Sequence, residues 1–396
     1  MTNKNLRLGY ALIFLSNLMF WYAPWLLFLL QYIDLPQAAI LQAVGLVTGV
    51  VAEVPTGALS DLIGKKKTLL LAFLFTGIGE LITGFSSDYW TFVWLWMLLN
   101  IGYSFYSGTM EAFMYDTLAA KGEEKQYSKV VSHMQVALNA ALAVGSLAGG
   151  FLFTIWHWSP FFLTGVAKIA AFILALSLVE PAVDTDTFSW RNFVSQTKQG
   201  FAHLFSAPMI KEVSFLLIFG SFMAIAYEFL DDIAIVDWGF DGIKIGFIYT
   251  AGTLLAVAGS PLYRPVARYI KPAGIVLIAG IFLALNYLFS PWITAGIWVS
   301  FLLLRSFFSP IRESAISELL NHKTKSAIRA TTLSTYQLIR KIPYVILAAS
   351  IGTSMEQIGI KWFSHDFALA LIACGLAYGV ILLLWQWRQK WVRAQA

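Results

Sequence analysis

Residues 57–67 read Gly-Ala-Leu-Ser-Asp-Leu-Ile-Gly-Lys-Lys-Lys, and this polar stretch separates two long apolar segments, 38–60 and 68–86. A helix needs about 20 mostly apolar residues to cross the hydrocarbon core of a bilayer. Glycine permits a tight turn of the backbone, and lysines are concentrated on the cytoplasmic side of membranes. The stretch therefore predicts a short inner turn between two membrane-crossing helices.

The rest of the chain has the composition of a membrane protein. Of its 396 residues, 58% are hydrophobic and 12% are charged, whereas soluble domains carry about 25% charged residues. A soluble surface must be wetted, but a surface that faces lipid need not be. We predict twelve spans, numbered in chain order: 8–32, 38–60, 68–86, 90–118, 128–155, 160–180, 212–234, 243–266, 272–290, 292–320, 327–353 and 365–387.

Basic residues lie almost entirely on one side of these spans. With the N-terminus inside, the inner connections hold clusters of Lys and Arg, whereas the outer connections hold only Lys244 and Lys361. This distribution predicts that both termini are cytoplasmic. It also accounts for the net charge of +5 without any nucleic acid. The short connections favour a bacterial inner membrane.

The two halves of the chain repeat each other in register. Glu111 aligns with Glu313 at the same offset that aligns Asp116 with Glu318. Because the offset comprises six spans, the halves have the same orientation, as in transporters that bind a solute near the midplane between parallel repeats. We predict an all-α protein with six-helix bundles at 1–180 and 212–396. A cytoplasmic linker with an amphipathic helix, 181–211, joins them.

The turn 57–67 resembles the loop signature of the major facilitator superfamily, in which Gly, Asp and Gly at this spacing precede basic residues. The resemblance implies a twelve-helix transporter with alternating access and a gating latch made of Gly57, Asp61, Gly64, Lys65 and Lys66. Lys65 departs from the usual Arg of the family. Span 4 also lacks the Arg of many proton-coupled members, and residues 145–150 lack the proline of the antiporter signature.

Charged residues inside spans persist where they pair, meet water or serve transport. The repeated acids Glu111, Asp116, Glu313 and Glu318 favour salt bridges at an inner gate. Charges that break the repeat either line the solute cavity or form buried structural pairs, and the sequence leaves both open. The predicted cavity residues are Asn17, Trp21, Trp25, Glu228, Arg305, Arg312, Tyr336, Gln337 and Arg340.

Helical spacing assigns these residues to faces. Arg305, Ser309 and Arg312 form one stripe on span 10. Ser221, Glu228 and Asp232 form another on span 7, with Asp231 beside them. Glu228 is the candidate proton site, since a carboxylate in a low-dielectric cavity gains affinity for protons. For Lys168 we favour a structural role, and for Glu80 no role is assigned.

The sequence supports three functions. The leading one is proton-coupled export of amphiphilic, drug-like molecules, favoured by the aromatic residues of span 1. An anionic metabolite is the alternative, because Arg is the usual cation for carboxylate and phosphate. A sensor that has lost transport is the third. No nucleophile–base pair, metal cluster or cofactor motif is found, so we predict neither an enzyme nor a cofactor. The expected partners are a small solute, protons and the lipid bilayer around a monomer.

Overall fold

A computed structural model describes residues 2–181, 190–207, 209–322, 324 and 329–395. Throughout these ranges the chain forms helices and no strand. Five helical stretches are long and apolar enough to cross a membrane by length and composition alone, among them Glu124–Ile155 and Ile360–Arg388. The prediction of an all-α protein is confirmed.

Each predicted span of the first half coincides with one helix or with two helical segments. Span 1 comprises Thr2–Ser16 and Trp25–Leu29, span 2 Leu35–Ile63, span 3 Lys65–Thr83, span 4 Tyr89–Tyr106 and Thr109–Ala119, span 5 Tyr127–Ile155 after the 3-10 turn Glu124–Gln126, and span 6 Ser159–Ala175.

The second half follows the helix Trp190–Leu204, which lies in the predicted linker; residues 182–189 of that linker are outside the described residues. Span 7 comprises Ile210–Ile225, the π-helical turn Ala226–Leu230 and Asp231–Asp237; span 8 comprises Gly242–Gly259, the 3-10 turn Ser260–Leu262 and Tyr263–Ala267; span 9 is Pro272–Leu288, span 10 Ala295–Asn321, span 11 Arg329–Ile339 and Ile342–Ile358, and span 12 Ile360–Gln395.

Helix ends follow from local chemistry. Span 2 begins with a capping box in which the Asp34 carboxylate accepts the Gln37 N–H at 2.8 Å, which satisfies an otherwise orphan donor. It ends at Gly64, whose φ of 92° only glycine adopts without strain. Asp88 caps span 4, and its hydrogen bonds from Thr91 lower the pKa of its carboxyl.

Among the described residues, four spans contain a break or a π-helical turn, and span 8 contains the 3-10 turn Ser260–Leu262. Span 1 is broken between Ser16 and Trp25, and span 4 is broken at Gly108, whose φ is 72°. Span 7 contains the π-helical turn Ala226–Leu230, and span 11 is broken at Arg340 and Lys341. Within a membrane such breaks are tolerated where protein or a water-filled cavity satisfies the freed backbone groups.

Contacts divide the chain into two units. Unit 1 consists of Met1–Val194, Ile235–Val257 and Leu347–Thr353, and unit 2 consists of Ser195–Ala234, Ala258–Ile346 and Ser354–Ala396. Unit 1 thus holds the six spans of the first half together with the end of span 7 and parts of spans 8 and 11. The predicted six-helix bundles remain a prediction.

Inside unit 1, spans 3 and 6 pack with little space between their backbones. A Cβ atom on Gly165 of span 6 would lie 2.7 Å from the Leu81 nitrogen and 3.0 Å from the Gly77 oxygen of span 3. Glycines at this crossing allow the helices to approach closely. The approach brings the side chains of span 6 against the middle of span 3.

Candidate functional site

A buried ion pair joins spans 7 and 10 in unit 2. The two terminal nitrogens of Arg305 donate to the two Asp231 oxygens at 2.9 and 3.0 Å. Asn286 accepts from the same guanidinium at 2.9 Å, and Tyr287 donates its hydroxyl to Asp231. Arg305 is only 5% exposed. Such a pair offsets its desolvation because its geometry is good and further hydrogen bonds surround it.

Tyr227 lies between two arginines of span 10. Its ring centroid is 5.4 Å from the guanidinium carbon of Arg305 and 5.0 Å from that of Arg312, both within cation–π range. Its hydroxyl accepts from Arg312 at 3.1 Å. Arg312 also donates to Ser309 at 3.1 Å. The predicted stripe of Arg305, Ser309 and Arg312 on span 10 therefore faces span 7. Tyr227 itself is 39% exposed.

Glu313 connects spans 10 and 11. Its Oε1 accepts from Arg312 at 2.8 Å and lies 3.5 Å from an Arg340 nitrogen. The guanidinium carbon of Arg340 lies 5.9 Å from the Tyr336 ring centroid. Tyr336 is fully buried and donates to the Leu216 carbonyl of span 7 at 3.2 Å. Its neighbour Gln337 is half-buried.

Glu228 is held by an ion pair at two helix breaks. Its Oε1 lies 2.6 Å from Lys341 Nζ, and the two side chains are 18% and 31% exposed. Glu228 belongs to the π-helical turn of span 7, and Lys341 lies at the break of span 11. Single π-helical turns often occur at functional sites. The candidate proton site is therefore paired with a cation that the sequence analysis did not place beside it.

The π-helical turn also alters the helix faces on which the acids of span 7 lie. Regular helical spacing predicted Glu228 and Asp232 on one stripe, with Asp231 beside them. A π-helical turn inserts one extra residue and rotates everything that follows by about a quarter to a third of a turn. Asp231 consequently meets Arg305. The adjacent acids 231 and 232 were the only sequence signal for this contact.

A second polar cluster lies in unit 1. Trp21 donates its indole N–H to Glu80 at 2.8 Å, and the Tyr103 hydroxyl donates to the same oxygen at 3.0 Å. The Lys168 ammonium lies 4.5 Å from the Tyr103 ring centroid and acts electrostatically on Glu80. Glu80 and Lys168 are 0% and 2% exposed. Trp21 is one of the predicted cavity residues, whereas Glu80 and Lys168 are not.

The other predicted residues of span 1 lie near this cluster. Asn17 donates to the Ile13 carbonyl at 2.8 Å and lines a small cavity with Tyr103 and Lys168. Trp25 is 6% exposed, and its ring packs 6.3 Å from that of Trp96. Trp25 is therefore part of the core, whereas Asn17 borders internal space.

The predicted latch residues around 57–67 are partly joined. Lys65 forms an ion pair with Asp116, and both side chains are mostly buried, at 14% and 12% exposed. The Glu180 carboxylate accepts the Lys65 and Lys66 N–H groups at 2.7 and 2.8 Å and so caps span 3. A Cβ atom on Gly57 would meet nothing within 4 Å. The side chain of Asp61 lies outside the described residues.

The repeated acids have different partners in the two halves. Glu318, the counterpart of Asp116, accepts from the Tyr263 hydroxyl at 2.5 Å and is exposed. Glu313 binds two arginines, whereas its counterpart Glu111 is exposed. The positions repeat, but their chemistry does not.

An apolar pocket of about 70 Å³ lies beside the second-half network. Arg305 and Arg312 reach its wall, which is otherwise apolar. Its largest apolar lining residues are Met223, Ile275, Ile278, Phe282, Phe308 and Ile311. Among the described residues, no group of three His, Cys, Asp or Glu could hold a metal ion.

Comparisons with known proteins agree with this architecture. A family model described as Major Facilitator Superfamily matches residues 6–348. The nucleoside transporter NupG superposes with a TM-score of 0.76 at 13% identity, covering 96% of this chain and 99% of that one. A D-xylose-proton symporter superposes with a TM-score of 0.64 at 13% identity, covering 94% and 96%. The predicted twelve-helix fold is thereby confirmed.

Curated relatives align with a smaller part of this chain than the solved structures do. The uncharacterized MFS-type transporter YxaM of Bacillus subtilis strain 168 is 24% identical over 241 residues, which are 59% of each chain. Multidrug resistance protein 2 of the same organism is 26% identical over 206 residues, 50% of this chain and 49% of the relative. The chain thus aligns with less than two thirds of either relative.

Proposed function

Because the chain belongs to the Major Facilitator Superfamily, a family of membrane transporters rather than enzymes, we propose that it is a secondary transporter that exports amphiphilic, drug-like molecules in exchange for protons. It works by alternating access as a monomer in a bacterial inner membrane, with both termini cytoplasmic. The similarity to Multidrug resistance protein 2 supports an amphiphilic solute.

The charge balance of the second-half network carries this proposal. Arg305 is neutralised by Asp231, while Arg312 and Arg340 share Glu313. An arginine that selects an anionic solute must offer its donors to that solute. Here Arg305 already donates to Asp231 and Asn286. Arg312 already donates to Tyr227, Ser309 and Glu313. The surfaces left over are aromatic and apolar, and they suit an amphiphile.

Glu228 is the proposed proton carrier of this half. Protonation would remove the negative charge that holds Lys341 at 2.6 Å, so the π-helical turn of span 7 and the break of span 11 would separate. In this coupling, Glu228 gives up its ion pair with Lys341 and binds either a proton or a cationic solute instead. Irregular helices that carry such groups are a recurrent feature of transporter sites.

Flux measured in proteoliposomes tests the proposal. Purified protein is reconstituted with a pH-sensitive dye inside, and a proton gradient is imposed. Ethidium (a cationic amphiphile), benzoate and betaine are then added separately. We expect ethidium to release lumenal protons, and Glu228→Gln to abolish the release. Glu53→Gln, at an exposed position of span 2, is the matched control. Undiminished gradient-driven flux in Glu228→Gln would remove Glu228 from the mechanism.

One observation favours the anionic alternative. The Nε atoms of Arg312 and Arg340 are buried and find no hydrogen-bond partner within the described ranges. Two such donors, on arginines that both contact Glu313, could bind a carboxylate. If benzoate alone moves protons and Arg312→Gln abolishes that flux, the solute is an anion and the export of amphiphiles is withdrawn. Absence of flux for all three compounds would favour a sensor.

A further inference from the structure

Glu80 is a buried carboxylate that the proposed function does not use. Its Oε1 accepts two hydrogen bonds, from Trp21 and from Tyr103. Its Oε2 is buried and has no hydrogen-bond partner in the described part of the chain. A buried, unbound carboxylate oxygen is costly while the group is ionised. Protonation removes the cost of the buried charge and leaves an O–H group that needs one acceptor.

The groups around Glu80 come from three spans. Span 1 contributes the indole of Trp21, which does not titrate. Span 4 contributes Tyr103, and span 6 contributes Lys168, the one cation among the described residues that acts on Glu80. The ammonium of Lys168 points over the Tyr103 ring. Lys168 compensates the charge of Glu80 without occupying its free oxygen, so the carboxylate is stabilised only in part.

A small internal cavity gives protons a place to approach. It measures about 30 Å³ and is lined by Ser16, Asn17, Thr76, Tyr103, Tyr106 and Lys168, among others. About 10–15 Å³ of such volume holds one water molecule when polar partners surround it. The cavity is therefore large enough for about two waters. Tyr103 and Lys168, which face Glu80, also form part of its wall.

Glu80 is linked to a helix break through its acceptor oxygen. Trp21 lies in the interruption of span 1 between Ser16 and Trp25, and its ring stacks on Phe161 with an interplanar angle of 5°. An indole N–H binds a carboxylate more strongly than a neutral carboxyl. A change of protonation at Glu80 is thus felt directly where span 1 is irregular.

We propose that Glu80, held by Trp21 and Tyr103 opposite Lys168, is a second proton-binding site, which loads and releases a proton during the transport cycle. The proton enters on the free Oε2 by way of the cavity and leaves by the same path, and no bond other than O–H is made or broken. Its part in coupling rests on the proposed function, but the binding of the proton does not.

Infrared difference spectroscopy tests the binding without any solute. Wild-type protein in liposomes is titrated from acid to neutral pH, and the stretch of protonated carboxyl groups is followed. We expect one such band to vanish as the pH rises, and to be missing from Glu80→Gln at every pH. Glu53→Gln should keep it. A band that persists unchanged in Glu80→Gln overturns the proposal.

Lys168→Gln provides a second, independent variant if Glu80→Gln does not fold. A nearby ammonium favours the ionised carboxylate by about 1–3 pH units. Replacing Lys168 should therefore move the disappearance of the band to higher pH by about that amount. An unshifted midpoint would show that the titrating group is not beside Lys168, and the proposal would be rejected.

Ethidium flux then separates this site from the proposed function. If wild-type protein moves no ethidium but the band titrates as expected, the solute assignment fails and the proton site stands. If wild-type protein moves ethidium, Glu80→Gln should reduce gradient-driven flux at least tenfold. Flux at the wild-type rate in a variant that lacks the band would exclude Glu80 from coupling.

Discussion

The first and second halves of this transporter bury their charges in different ways. In the second half, Asp231 receives two hydrogen bonds from Arg305 and one from Tyr287. In the first half, Glu80 receives two hydrogen bonds on one oxygen, both from neutral donors, and its other oxygen is left without a partner within the described residues. One carboxylate is saturated and the other is not.

This difference shows why two buried carboxylates, Asp231 and Glu80, serve different purposes. A bidentate arginine pair is strong, directional and permanently charged, and it fixes two helices against each other. Lys168 compensates the charge of Glu80 without binding its free oxygen. The ionised carboxylate is therefore less well stabilised, and protonation remains favourable. Burial of an ion is costly in both halves. In the second half the Asp231–Arg305 pair offsets that cost and joins two helices, whereas in the first half the cost favours protonation of Glu80.

The largest effect is expected from Arg305→Met. The substitution leaves Asp231 buried without its cation, and breaking such a pair costs about 3–5 kcal/mol. The matched variant in the first half, Lys168→Met, should cost less, because Glu80 is able to neutralise itself by protonation. Thermal unfolding of both variants in detergent measures the difference. Equal destabilisation would contradict the comparison.

A double variant checks that the cost is due to the unpaired charge. Arg305→Met combined with Asp231→Asn removes both ions and should recover much of the lost stability, since buried pairs replaced together are often tolerated. A double variant as unstable as Arg305→Met alone would assign the loss to packing of the arginine.

An intermediate effect is expected for the ion pair of Lys65 and Asp116 in the inner turn. Lys65→Ala leaves a mostly buried carboxylate without its cation and should destabilise the protein by about 1–3 kcal/mol. The exchanged variant Lys65→Asp with Asp116→Lys restores opposite charges and should regain part of that stability in the same unfolding assay. No recovery would show that the lysine acts through its stem rather than its charge.

The smallest effect is expected at the corresponding contact of the second half. Tyr263→Phe removes one hydrogen bond to the exposed Glu318, and the net value of such a bond is about 0.5–1.5 kcal/mol, with exposure favouring the lower end. Tyr269→Phe, at a residue 89% exposed, is the control and should change nothing. A loss comparable to that of Lys65→Ala would show that the Tyr263–Glu318 contact contributes as much stability as the Lys65–Asp116 ion pair.

Most of the fold could be predicted because hydropathy and glycine spacing are local properties. The turn at Gly64 was expected between spans 2 and 3, and the structure ends Leu35–Ile63 there. The stripe of Arg305, Ser309 and Arg312 was also expected, since span 10 is a continuous helix. Regular helical spacing does not hold through span 7, because the π-helical turn Ala226–Leu230 rotates the residues that follow it.

The pairing of buried charges was beyond prediction. Glu80 and Lys168 stand 88 positions apart on spans 3 and 6, and these spans approach each other closely at Gly77 and Gly165. Likewise, Lys341 reaches Glu228 because two separate helices are interrupted at the same place. No periodicity within one segment contains this information.

The amino-acid sequence by itself determined that this chain crosses a membrane as twelve helices in two related halves, because the length and polarity of each span and the family signature at 57–67 are written in consecutive residues. Only the tertiary structure decided which buried charges neutralise each other and which carboxylate keeps a free oxygen. Those outcomes depend on distances between residues of different helices, and electrostatic energy in a medium of low dielectric changes steeply with such distances.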